Sequence, residues 1–129
     1  MPRHGDVVLA RFPFTDRTGA KLGPVLVLAE IPGPYRDFIV LFISSQLNQA
    51  VPGLDVVLDA THPAFPRSGL KVASVFRIAK VASLSEALLA GTLGRLEARL
   101  LDEVVRRLVR LLETGRLPAS TSRRASGPR

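Results

Sequence analysis

The sequence predicts a mainly β protein with one α-helix: a small barrel or bent sheet of five to seven short strands, followed by a long C-terminal helix. Three observations predict it. Short apolar, β-branched runs recur through residues 6–84. Clusters rich in Pro, Gly, Asn and Asp separate them. From Leu96 the apolar spacing changes to a helical period.

The runs are DVVLARF (6–12), PVLVLAEI (24–31), DFIVLFISSQ (37–46), LDVVLDA (54–60) and KVASVFRIAKVASL (71–84). PGPYRD, NQAVPG and HPAFPRSG punctuate them at 32–37, 48–53 and 62–69. Short strands at this spacing predict an all-β sheet or small barrel rather than βαβ units. VVLA and VLVLA are apolar at successive positions, so the sheet is expected to be strongly bent and covered on both faces. Ser85–Leu89 reads as a short helical turn. In LEARLLDEVVRRLVRLLETG the apolar residues are Leu96, Leu100, Leu101, Val104, Val105, Leu108, Leu111 and Leu112. They make one stripe, with an arginine-rich face opposite that reads as solvated. Glu97, Asp102 and Glu103 come early and Arg106, Arg107 and Arg110 late, matching the helix dipole. Gly115 and Pro118 supply the stop.

The chain has 129 residues, 47% of them hydrophobic. That is one domain, here residues 1–115, small enough that pairing with a second chain is expected. With no cysteine, disulfides and cysteine metal sites are excluded. No apolar run reaches the length of a membrane span and the N-terminus has no signal-peptide core, so a cytoplasmic protein is expected, with no membrane partner. The net charge is +7. It is concentrated late: residues 95–129 hold nine arginines against four acids. The tail 116–129, RLPASTSRRASGPR, has four arginines and no acid, and its composition predicts disorder. Such a tail attracts phosphates or simply solubilises.

No phosphate-cradling glycine loop, HExxH or GxSxG is present. The two histidines, His4 and His62, lie apart and read as surface residues, so no metal is expected. What remains is polar and basic groups at strand ends: Ser44, Ser45 and Gln46 after one apolar run, and Thr15, Asp16, Arg17 and Lys21 in the loop after the first. Arg77 interrupts a mostly apolar strand. Either its stem packs while its head reaches solvent or a carboxylate, or its planar fork binds an anion. Ser44 and Ser45 read as turn-forming serines or as donors to the same anion.

GDVVLARFPFTDRTGAKLGPVLVLA, IVLFISSQ, SGLKVASVFRIAKVASL and LGRLEARLLDEVVRRL, in this order, resemble the PemK/MazF family of type II toxin–antitoxin toxins over residues 4–113. The resemblance implies an SH3-like barrel of the PemK/MazF/CcdB type with a C-terminal helix, and a homodimer. It implies a metal-independent, cofactor-free endoribonuclease acting on single-stranded RNA, and a cognate antitoxin chain that blocks the RNA groove. It places Arg77 on the scissile phosphate as donor or proton source, and Ser44 on the same phosphate with Ser45 beside it. The loop 13–23, with Thr15, Asp16, Arg17 and Lys21, matches the mobile loop bordering the site. Asp16 also reads as a turn cap.

Gly23 and Leu22 stand where basic residues are common in that family, and Ala79 and Ala82 where an aspartate and another arginine occur. Loss of one preorganised phosphate donor lowers rates by about two to three orders of magnitude. These departures motivate a second reading, a weakened member that binds RNA or an antitoxin-like peptide. A third, a gyrase poison, shares the fold, but the end RRASGPR lacks the hydrophobic terminus such toxins use.

Overall fold

The computed structural model describes residues 2–12 and 21–117. Thr15, Asp16 and Arg17, and the tail from residue 118 on, lie outside the described residues. Six strands form one antiparallel sheet: β1 (Asp6–Phe12), β2 (Lys21–Ile31), β3 (Asp37–Ser44), β4 (Val56–Leu58), β5 (Ser74–Ser85) and β6 (Leu89–Arg95). Their order is β4-β5-β3-β2-β1-β6. A short helix α1 (Phe65–Ser68) joins β4 to β5, and α2 (Ala98–Thr114) ends the fold. The expected turn at Ser85–Leu89 is a 3₁₀ turn, Glu86–Leu88, with the Ser85 hydroxyl accepting from the Ala87 amide. β6 and α1 have no counterpart among the expected elements. β6, LAGTLGR, is rich in glycine and small residues and gives no strand signal of its own.

Both faces of the sheet are buried, as the doubly apolar strands require. One face carries Val7, Leu26, Leu41, Ile43, Phe76 and Ile78, packed against Leu101 and Val104 of α2. The other carries Val8, Ala10, Val25, Val27, Phe38 and Val40. Among the described residues no helix covers that second face, and the apolar groups packed on it come from the sheet strands and the 3₁₀ turn. The sheet therefore curls over its own second face. Register shifts between β2 and β3, β3 and β5, and β1 and β6 supply the bends.

The two edges of the sheet meet through α1, which follows β4 at one edge and lies against β6 at the other. A Cβ at Gly94 would fall 2.2 Å from the Arg67 carbonyl oxygen, and one at Gly69 would fall 2.1 Å from that of Leu93. Gly69 also has φ +74, which caps α1 in a left-handed conformation.

α2 begins at Glu97, whose side chain accepts from the Leu100 amide at 3.2 Å, and ends at Gly115 in the left-handed region. Leu101 and Val104 are its buried residues. Leu112, assigned to the apolar stripe, is 74% exposed, because Leu108 and Leu111 are the residues of the last turns that pack on the core and Leu112 lies beside that line.

Candidate functional site

The described sequence-derived candidates, Arg77, Ser44, Ser45 and Lys21, lie toward one end of the sheet, where β1 and β3 finish and β2 and β5 begin. Arg77 sits on β5 between Phe76 and Ile78, which point into the helix-side core, so Arg77 faces the other way. Ser44 pairs with Val75, two positions from Arg77 on the same strand.

The Arg77 head meets a carboxylate. Continuing the pairing Val57↔Val75 and Val56↔Phe76 puts Asp55 across from Arg77. Arg77 Nε donates to Asp55 Oδ2 at 3.2 Å, and Nη1 donates to Gln49 Oε1 at 3.1 Å. The Asp55 side chain is 1% exposed and that of Arg77 19%. Asp55 also accepts from the Val51 amide at 2.9 Å and the Ile78 amide at 2.9 Å. Three donors converge on this carboxylate, so its capacity goes to holding the 47–55 segment and the guanidinium in place. Of the two sequence readings of Arg77, a packed stem with a carboxylate partner describes these contacts. The remaining nitrogen, Nη2, makes no hydrogen bond to a described residue and stays available to an anion.

Ser44 Oγ accepts from the Gln46 amide at 3.0 Å, a turn bond that leaves its own proton free to donate. Ser45 is exposed in the bend that follows. Lys21 is exposed at the start of β2, opposite Phe12. Asp55 and Gln49 were missed in the sequence because an acid opening a short strand and an amide in a loop look like turn residues. The signal for Asp55 was the mid-strand arginine itself, which calls for a buried counter-charge.

The position of Gly23 follows from packing. It lies within β2, and a Cβ there would fall 2.7 Å from Cε2 of Phe12. The Phe12 ring in turn lies 5.0 Å from that of Phe42. Pro24 follows where β2 is paired with β1 alone, since pairing with β3 starts at Val25. Ala79 is exposed and Ala82 half-buried, and both carry only a methyl group.

The arginine-rich face of α2 is only partly solvated. Arg106 pairs with Asp102 at 2.9 Å and Glu103 at 3.2 Å. Arg107 instead turns inward: Nε donates to Glu103 Oε2 at 2.7 Å, and Nη1 donates to the carbonyls of Leu54 at 3.1 Å and Asp55 at 2.8 Å. The hydrogen bond from Arg107 holds the Glu103 carboxyl below its ordinary value, against an opposing effect of burial.

His4 donates from Nδ1 to the Leu28 carbonyl at 2.7 Å, and His62 Nδ1 accepts from the Ala64 amide. Among the described residues no group of three or more His, Cys, Asp or Glu could hold a metal ion. No described helix is long and apolar enough to cross a membrane.

Comparison with known proteins gives the fold and the family. A solved structure titled "Endoribonuclease in complex with its cognate antitoxin from Mycobacterial species" aligns with a TM-score of 0.59 at 15% identity. The alignment covers 92% of this chain and 100% of that one, a likeness of fold. No match was found among curated proteins. The family model described as "PemK-like, MazF-like toxin of type II toxin-antitoxin system" matches residues 3–112. With the six-stranded sheet, the terminal helix and a family match over most of its length, the chain belongs to the PemK/MazF-like toxins of type II toxin–antitoxin systems.

Proposed function

We propose that this protein is a metal-independent endoribonuclease that cleaves single-stranded RNA and is held inactive by a cognate antitoxin. One observation beyond family membership supports the reading. Arg77 is fixed by Asp55 and Gln49 while Nη2 makes no bond to a described residue, so a preorganised cation is presented where a phosphate can meet it.

In the reaction, the RNA 2′-oxygen loses its proton to a base and attacks phosphorus. The bond to the 5′-oxygen breaks and that oxygen takes a proton, leaving a 2′,3′-cyclic phosphate and a 5′-hydroxyl. Arg77 Nη2 stabilises the charge growing on the phosphoryl oxygens. Ser44 and Ser45 donate from their hydroxyls. Lys21 and the loop residues Thr15, Asp16 and Arg17 contact the strand, with Asp16 a candidate base. Asp55 accepts from three donors and orients the guanidinium. The working form is a cytoplasmic homodimer, and an acidic antitoxin complements the +7 chain.

The purified protein is expected to cut a long single-stranded RNA with and without EDTA, leaving cyclic-phosphate ends. Arg77→Ala abolishes cleavage, and Arg77→Lys recovers little because lysine lacks the fork. RNA left intact in both buffers would overturn the reading. The packing of Gly23 under Phe12 favours a second one, a binding module, because no cation can enter position 23 as the site stands. That reading predicts salt-sensitive RNA binding without product.

A further inference from the structure

We propose that Arg107 of α2 is a positioning residue for Arg77, and that the C-terminal helix sets the geometry of the phosphate-contacting guanidinium through the Leu54–Asp55 peptide. The proposal rests on the reading of Arg77 given above.

The connection is short and continuous. Glu103 holds Arg107 Nε at 2.7 Å, one turn earlier on the helix. Arg107 Nη1 is shared between the carbonyls of Leu54 and Asp55. The same Asp55 directs its carboxylate the other way, to Arg77 Nε and the Ile78 and Val51 amides. One residue therefore has its backbone held by the helix and its side chain on the candidate catalytic arginine. The neighbouring Gly53 turns the chain at φ +81, and the Leu54 and Asp55 amides close the turn on the Val51 carbonyl at 3.1 and 2.9 Å. Arg107 ties the carbonyl side of this turn to the helix, and a planar guanidinium can serve two carbonyls and a carboxylate at once where an ammonium holds fewer of them in fixed directions.

Arg107 also lines a small cleft with Gly53, Leu54, Arg110, Leu111 and Arg116. A direct phosphate contact by Arg107 is therefore the competing role. The two roles separate kinetically. A positioning residue acts on the step where charge develops and changes kcat. A phosphate contact changes KM and the salt dependence of binding.

The test uses the full-length protein with ¹⁵N-labelled arginine, the Arg77 Nε–H signal being assigned as the one lost in Arg77→Lys. In folded Arg107→Met this proton is expected to exchange with water about tenfold faster or more. The kcat on single-stranded RNA falls roughly tenfold to a hundredfold, the scale of a misplaced catalytic group, with KM unchanged. Arg107→Lys lies between Met and wild type. An unchanged Arg77 signal in folded Arg107→Met overturns the proposal, as does a raised KM with kcat kept and a shallower salt slope. If Arg107→Met does not fold, Glu103→Gln loosens the same clamp and must speed Arg77 exchange; no change there overturns the proposal. A wild type that cleaves no RNA sinks the nuclease reading alone, because the exchange measurement still decides whether α2 holds Arg77.

Discussion

At the scale of single residues, the arginine at 77 and the acid at 55 are unequal partners. Asp55 serves two backbone amides as well as the guanidinium, while Arg77 keeps part of its head in solvent. Removing the acid leaves three donors unpaired in a buried place; removing the arginine leaves the acid with two. Asp55→Ala is therefore expected to lower stability by about 3–5 kcal/mol, the range for breaking a buried pair from one side. Arg77→Ala should cost about 1.5–3 kcal/mol, the value of one hydrogen bond to a charged group. Urea melts of both variants check the order, and equal losses would contradict it. Gly23 gives a second asymmetry. Gly23→Arg must displace the Phe12 ring and is expected to cost about 1–3 kcal/mol by overpacking. In a Phe12→Ala background the added penalty should largely vanish, a coupling that a double-mutant cycle measures directly. The sequence showed that a cation was missing at 23 but not that an aromatic ring fills the space. Phe12 and Gly23 lie on different strands, and only their pairing region brings them together.

At the scale of elements, α2 was the most legible part of the chain. Its period and glycine stop appear in one continuous stretch, while the expected dipole match does not hold: the first turn of the helix has no acid and the last turn no base. The inward turn of Arg107 was not legible, since its partners are backbone carbonyls more than fifty residues away. Glu103 links that clamp to pH. Its carboxyl is held below its ordinary value chiefly by the hydrogen bond from Arg107. A depressed carboxylate contributes stability that is complete above the unfolded value of 4.5 and is lost as pH falls through the folded value. Wild type is thus expected to be more stable than Glu103→Gln at neutral pH, with the gap closing in the acid range below 4.5. Thermal melts from neutral pH downward check this, and a gap that persists at the acid end would count against it.

At the scale of the whole molecule, the fold depends on curvature. The apolar runs with both faces buried announced a bent, doubly covered sheet, and β1, β2 and β3 bear that out. What closes it was hidden. β6 is built of small residues and reads as a loop, yet it pairs with β1 and receives α1 from the far edge. Backbone meets backbone there, at Gly94 and Gly69, and neither can shift like a flexible side chain. Gly94→Ala is expected to cost roughly 3 kcal/mol by steric overlap. Gly91→Ala in the same strand, where a Cβ meets nothing within 4 Å, is expected to be close to neutral. Chemical denaturation of the two variants tests this, and similar losses would show that close approach at β6 does not decide closure.

The sequence by itself determined the mainly β architecture, the terminal helix with its limits, and membership of a toxin family, because these rest on periodicity and on motifs that are local in the chain. Only the tertiary structure decided that Arg77 is held by Asp55 and Gln49, that Gly23 makes room for Phe12, and that Arg107 reaches the peptide behind Asp55. Each is a contact between distant segments. Its energy comes from burial and from donors converging on one carboxylate, which no window of neighbouring residues contains.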